Sequence, residues 1–141
     1  IMKPSGENPT SLWLHGVAGR MGQEIQKALL DKPGPFRLIG GSDRYFEGTF
    51  LQGRPVTSED LAQALIKDKV DLILDFSSPA GNAVLQTAIA HSNVTSSNVL
   101  IGTTGLTDQS LETWKKIAVE KGLSLLIAPN TSLGVLLTVK A

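Results

Sequence analysis

Leu12-Trp13-Leu14-His15-Gly16-Val17-Ala18-Gly19-Arg20-Met21-Gly22 is the stretch that decides how this chain folds. A short apolar run enters three glycines spaced G-x-x-G-x-x-G. The glycines lead into a segment in which Met21, Ile25, Ala28 and Leu29 are spaced for one face of a helix. The pattern is a variant of G-x-G-x-x-G, in which residues without Cβ allow a tight strand-to-helix turn and a close approach of backbone to a diphosphate. The helix start then offers N–H groups and the positive end of its dipole to an anion. Arg20 adds a cation beside it.

Outward from this turn, strands and helices alternate. Pro33-Gly34-Pro35 stops the first helix, and Phe36-Arg37-Leu38-Ile39 reads as a second strand. Tyr45 to Val56 carries scattered glycines and reads as a loop, with room for one short strand. Thr57-Ser58-Glu59-Asp60 is a helix start, followed by Leu61, Ala64 and Leu65 on an apolar face. Val70 to Phe76 is a strand whose unbroken Leu72-Ile73-Leu74 suits burial on both faces of a parallel sheet. Ser78-Pro79 opens a helix with Val84, Leu85, Ala88 and Ile89 inward. Val99-Leu100-Ile101 is the next strand. Thr107-Asp108 begins a helix carrying Leu111, Trp114 and Ile117, which Gly122 ends. Leu123 to Ile127 is the last strand. The alternation predicts an α/β fold of the Rossmann type: a doubly wound, mostly parallel sheet with helices on both faces.

The bulk composition narrows the function. Thirteen basic and 13 acidic residues give a formal net charge of zero, which argues against nucleic acid or an anionic membrane as partner. There are no cysteines, so thiol chemistry and zinc–thiolate sites are excluded, and no metal site is expected. No apolar run is long enough to span a bilayer, and the polar lead-in lacks the apolar core of a secretory signal, so a cytoplasmic location is expected. Ile1 before Met2 reads as a cloning or processing remnant. Residues 1–10 read as a lead-in, 11–134 as a dinucleotide-binding domain, and 135–141 as the opening of a helix that is cut short.

Asp43 follows the second strand, 43 − 22 = 21 residues past Gly22, where a carboxylate can accept hydrogen bonds from adenosine ribose hydroxyls. Arg44 can pair with a 2′-phosphate, so the two residues pull in opposite directions between NADH and NADPH. Asp75-Phe76-Ser77-Ser78-Pro79, Gly102-Thr103-Thr104-Gly105 and Ala128-Pro129-Asn130-Thr131-Ser132-Leu133-Gly134-Val135 each follow a strand, at the end where open α/β sheets bind ligands.

Taken with Gly-x-x-Gly-Arg-Met-Gly, these segments resemble, in the same order, the motifs of the dihydrodipicolinate reductase (4-hydroxy-tetrahydrodipicolinate reductase) family. That family shows G-A-x-G-R-M-G, an acidic-Arg pair, D-F-[ST]-x-P, G-T-T-G and A-x-N-[FY]-S-x-G-V. The resemblance covers nearly all of residues 12–140. It implies that Gly16, Val17, Ala18, Gly19, Arg20 and Met21 cradle a diphosphate, and that Asp43 and Arg44 meet the adenosine ribose. It implies that Phe76 and Ser77 line the dinucleotide groove, that Gly102, Thr103 and Thr104 lie on the nicotinamide side, and that Ala128, Pro129, Asn130 and Thr131 border the nicotinamide. The implied cofactor is NADH or NADPH. The implied reaction is hydride transfer to a cyclic imine dicarboxylate in diaminopimelate and lysine biosynthesis.

Two residues depart from the family pattern. His15 stands where a small or apolar residue is usual, and Thr131 replaces an aromatic. The family's second domain, with a His-His-x-x-Lys stretch, binds the dicarboxylate and supplies the proton, and nothing in residues 1–141 matches it. No catalytic residue is therefore expected in this chain. Cofactor binding without turnover is expected, with substrate binding and any homo-oligomer belonging to a longer protein. A stand-alone nucleotide-binding or coenzyme A-binding module is the alternative reading.

Overall fold

The structure is a computed structural model of the 141-residue chain. It describes residues 9–32, 34–43, 48–49, 55–57, 61–67, 69–95 and 97–129. The elements run β1 (Thr10–His15), α1 (Arg20–Asp31), β2 (Phe36–Ser42), β3 (Gly48–Thr49), β4 (Pro55–Thr57), α2 (Leu61–Lys67), β5 (Leu72–Asp75), α3 (Pro79–Ala90), β6 (Asn98–Ile101), α4 (Asp108–Lys121) and β7 (Ser124–Ile127). The strands form one sheet in the order β3-β4-β2-β1-β5-β6-β7. Every neighbouring pair is parallel except β3 with β4. The expected Rossmann-type α/β architecture is therefore present. The stretch read as a loop with one short strand holds two, β3 and β4, and β1 starts at Thr10, one residue inside the predicted lead-in.

Alternation along the strands builds two cores. Leu12 and Leu14 of β1, Leu72 and Leu74 of β5 and Leu100 of β6 pack on one face with Ile25 and Leu29 of α1. Trp13, Ile73, Val99 and Ile101 point the other way and meet Leu61 and Leu65 of α2, Leu85 and Ile89 of α3, and Trp114 and Ile117 of α4. Burying each such side chain contributes about 1.5–3 kcal/mol, so both faces are needed to hold the sheet.

Two expected inward residues face solvent. Met21 is 37% exposed and Val84 is 48% exposed. In each helix a polar residue takes the inward place instead. Gln26 is buried in α1, where its Nε2 donates to the Val17 carbonyl at 2.9 Å. Asn82 is buried in α3, where it bonds the indole of Trp114. Ile25 and Leu29 in α1 and Leu85, Ala88 and Ile89 in α3 are buried as the spacing predicts, so each buried face extends to the polar residue rather than to Met21 or Val84. Of the predicted helix start Thr57–Asp60, Thr57 is the last residue of β4, and Ser58–Asp60, like Arg44 and residues 130–141, lie outside the described residues.

Candidate functional site

Strand register brings the predicted segments to one edge. His15 pairs with Ser42 on one side and Asp75 on the other, Asp75 pairs with Ile101, and Ile101 pairs with Ile127. Gly16, Asp43, Phe76, Gly102 and Ala128 are the next residue in each strand, so five separated segments start in one row at the carboxyl edge. The ladder continues one step into that row, with Phe76 N–H donating to the His15 carbonyl at 3.0 Å and Gly102 N–H to that of Asp75 at 2.8 Å. The chain leaves β1 toward β2 and later crosses back to β5, so β1 and β5 flank the point where strand order reverses. Open α/β sheets bind ligands at such a crevice.

The glycine turn sits at that crevice. Gly16 has φ +93°, and a Cβ on it would lie 2.6 Å from the Phe76 carbonyl oxygen and 2.9 Å from the Ser77 nitrogen. A Cβ on Gly22 would strike the Gly16 carbonyl oxygen and lie 2.7 Å from that of Val17. Neither position admits a side chain without moving backbone. The Ala18 N–H donates to Asp43 Oδ2 at 2.9 Å, which fastens the turn to the end of β2. At the helix start, Gly19 is the N-cap and no side chain caps α1. The first-turn N–H groups of any helix lack intrahelical acceptors, and those of Arg20, Met21 and Gly22 are held by no cap.

Beside the turn, Asp75 is wholly buried and gathers four donors. Its Oδ1 accepts from the Ser77 N–H at 3.1 Å and the Ser77 hydroxyl at 2.5 Å. Its Oδ2 accepts from Asn82 Nδ2 at 2.6 Å and the Thr103 hydroxyl at 2.9 Å. Asn82 Oδ1 in turn accepts from Trp114 Nε1 at 2.8 Å. The carboxylate thus ties the ends of β5 and β6 to α3 and, through Asn82, to α4. Sequence reading placed Asp75 only at a strand end. The Asp-x-Ser spacing, suited to a local side-chain bond onto backbone, was the one available signal, and nothing local marked Asn82.

His15 is buried as well. Its Nε2 lies 2.7 Å from the Gly81 carbonyl, which can only accept, so Nε2 carries the proton. Trp13 Nε1 donates to Ser42 Oγ at 3.0 Å, leaving the Ser42 hydroxyl to donate to His15 Nδ1 at 2.7 Å. This chain joins β1, β2 and α3. It gives a structural place to the histidine that stands where the family usually has a small or apolar residue.

The predicted residues divide by exposure. Gly19, Arg20, Met21, Thr104 and Pro129 are exposed, and Ala18, Asp43, Phe76, Ser77 and Ala128 are half-buried. Gly102 packs against the Phe76 ring, which a Cβ would overlap. Thr103 is 3% exposed, and its hydroxyl donates to Asp75 and accepts from the Ser77 N–H at 3.1 Å, so that side chain is bonded inside the fold. Arg44, Asn130 and Thr131 lie outside the described residues. A groove of about 520 Å³ between α2 and α3, lined by Leu61, Val84, Thr87 and His91 among others, contains none of the predicted residues. Among the described residues no group of three or more His, Cys, Asp or Glu side chains is arranged to hold a metal, and no helix is long and apolar enough to cross a membrane.

A parallel sheet with a glycine turn at its switch point and an acidic residue closing β2 defines a Rossmann-type domain. The family model for the N-terminus of dihydrodipicolinate reductase matches residues 10–131. The chain belongs to the dihydrodipicolinate reductase family, a family of oxidoreductases. It is 30% identical over 137 residues to the 4-hydroxy-tetrahydrodipicolinate reductase of Dictyoglomus turgidum, covering 90% of this chain and 48% of that one. It is 32% identical over 134 residues to the enzyme of the same name from Bacillus velezensis, covering 89% and 48%. Among solved structures, a dipicolinate-bound dihydrodipicolinate reductase from Paenisporosarcina sp. TG-14 superposes with a TM-score of 0.70 at 23% identity, over 92% of this chain and 50% of that one. The chain thus spans about half the length of the relatives it matches.

Proposed function

We propose that this chain is the cofactor-binding half of an NAD(P)H-dependent 4-hydroxy-tetrahydrodipicolinate reductase, and that it binds reduced dinucleotide across the crevice between β1 and β5. The observation that carries the reading is the glycine turn. Two of its positions exclude any Cβ, and the helix behind it has no side-chain cap. A diphosphate fits such a cradle, since backbone amides and the helix dipole both favour an anion there. Gly16 through Met21 would hold the diphosphate, and Asp43 with Arg44 would meet the adenosine ribose. Phe76 and Ser77 would line the groove. Gly102, Thr103, Thr104 and the segment from Ala128 to Thr131 would border the nicotinamide.

A bound NADH or NADPH supplies a hydride, and the chain's own residues bind and orient it. The substrate of the whole protein is a cyclic imine dicarboxylate, which needs cationic clamps with good geometry. The described carboxyl-edge segments carry one cation, Arg20. Cofactor binding without turnover is the behaviour this reading expects of the chain by itself.

Titration with NADH, NADPH and coenzyme A, read by thermal shift, tests this. Either dinucleotide at 100 Kd should add about 2.7 kcal/mol of stability. Stabilisation by coenzyme A alone would replace the reading with a coenzyme A module. Asp43→Ala sharpens the test. It removes the bond to Ala18 and so weakens both dinucleotides, but it also removes a charge that opposes a 2′-phosphate by about 1–4 kcal/mol per pair at ~4 Å. The NADPH-to-NADH affinity ratio should rise. An unchanged ratio means that Asp43 does not face the ribose.

A further inference from the structure

The carbonyls of Gly16, Val17, Ala18 and Gly19 are all engaged inside the protein. That of Gly16 accepts from the Gly19 N–H at 3.1 Å, and that of Gly19 from the Gln23 N–H at 2.9 Å. The two between them are held by side chains of α1: Val17 by Gln26 Nε2 at 2.9 Å and Ala18 by Gln23 Nε2 at 3.1 Å. The Val17–Ala18 peptide is gripped at both ends, because its N–H donates to Asp43 Oδ2 at 2.9 Å. These two bonds fix the direction of that peptide's dipole. A carbonyl swung outward would repel an anion at the start of α1, where amides attract one.

Gln26 is a poor fit to its place on any other ground. It is 4% exposed and shares the buried face of α1 with Ile25 and Leu29. Its Oε1 is buried with no hydrogen-bond partner among the described residues. A buried acceptor left unpaired is unfavourable, and an apolar side chain of the same length would avoid it. The bond to the Val17 carbonyl is what the glutamine supplies and an apolar residue cannot. We infer that Gln26 is a positioning residue of the cradle: it keeps the Val17 carbonyl against α1 and the Ala18 N–H on Asp43, so that the turn offers amides to a diphosphate and sets the Asp43 carboxylate for its ribose. The inference rests on the dinucleotide reading of the site.

Gln26→Met tests it, since methionine matches glutamine in length and has no N–H to donate. The substitution removes one unpaired buried acceptor, Oε1, and creates another at the Val17 carbonyl, so the urea midpoint should stay near that of the wild type. Two other measurements should move. In the free chain, the Ala18 amide should exchange with solvent deuterium about tenfold faster, because its peptide is released at the carbonyl end. NADH should bind about three- to tenfold more weakly by calorimetric titration. A residue that only filled the core would change the midpoint and leave these two alone.

Should Gln26→Met fail to fold, the wild type decides. NADH should shift the side-chain amide signals of Gln26 in a nitrogen-resolved NMR spectrum and leave in place those of Gln86, which bond Ser110 at the start of α4. The absence of that shift overturns the inference. So does an unchanged Ala18 exchange rate, or an unchanged affinity for NADH, in a folded variant. In each of these cases NADH binding by the wild type leaves the dinucleotide reading intact. A wild-type chain that binds neither NADH nor NADPH overturns that reading and the inference with it.

Discussion

The starts of α1 and of the two later helices, α3 and α4, are built to opposite plans. Ser78 caps α3 by accepting from the Gly81 N–H at 3.0 Å, and Thr107 caps α4 by accepting from the Ser110 N–H at 3.1 Å. Proline follows the first cap and Asp108 the second, so each helix satisfies its own start. Helix α1 begins at Gly19 with no side-chain cap and no acidic residue in its first turn. Among the helix starts described, side chains close those of α3 and α4 and leave that of α1 open, which is what the proposed dinucleotide cradle requires.

The largest effect should come from filling the turn. In Gly22→Ala the new methyl group meets backbone rather than flexible side chains: the Gly16 carbonyl, and Val17 O and C at 2.7 and 2.8 Å. Backbone must shift, and a loss of about 3 kcal/mol in urea unfolding is expected, with dinucleotide stabilisation abolished. A loss under about 1 kcal/mol would mean that α1 can slide on the sheet, and that the close approach at Gly22 does not define the cradle. Thr107→Ala tests the other plan. It should cost about 1 kcal/mol of stability and leave the Kd for NADH unchanged, because the Ser110 amide that Thr107 caps lies within the fold's own bonding and not in the proposed cradle.

The same contrast separates what the sequence revealed from what it hid. The strands Leu72-Ile73-Leu74 and Val99-Leu100-Ile101, the caps at Ser78 and Thr107, and the left-handed Gly122 at φ +67° were all legible, because each is a local preference that the fold obeys. The glycine turn was legible for the same reason. The polar members of the buried faces of α1 and α3 were not. These are Gln26 and Asn82, whose partners lie 9 residues away at Val17 and 32 away at Trp114. Asp75 was quoted as part of a motif, yet its role comes from Thr103, 28 residues on, and from Asn82 on the next helix. A polar side chain at a core position carries no periodic signal. Only the assembled fold supplies the donors that make its burial favourable.

Gly19→Ser gives the smallest change in stability and the most direct reading of the contrast. Gly19 has φ −75° and ψ 175°, close to the φ −77° and ψ 162° of Thr107 at its own cap. A Cβ there would find its nearest neighbour, the Gly16 carbonyl oxygen, at an ordinary 3.5 Å. Neither backbone conformation nor space demands glycine at this position, in contrast to Gly16 and Gly22. A serine can take the cap geometry and bond the amide of Met21 or Gly22, which should raise stability by a few tenths of a kcal/mol. That amide is then no longer open to a phosphate, and NADH should bind about three- to tenfold more weakly by calorimetric titration. A serine variant that is more stable and binds as tightly as the wild type would show that the uncapped amides of α1 do not serve the ligand.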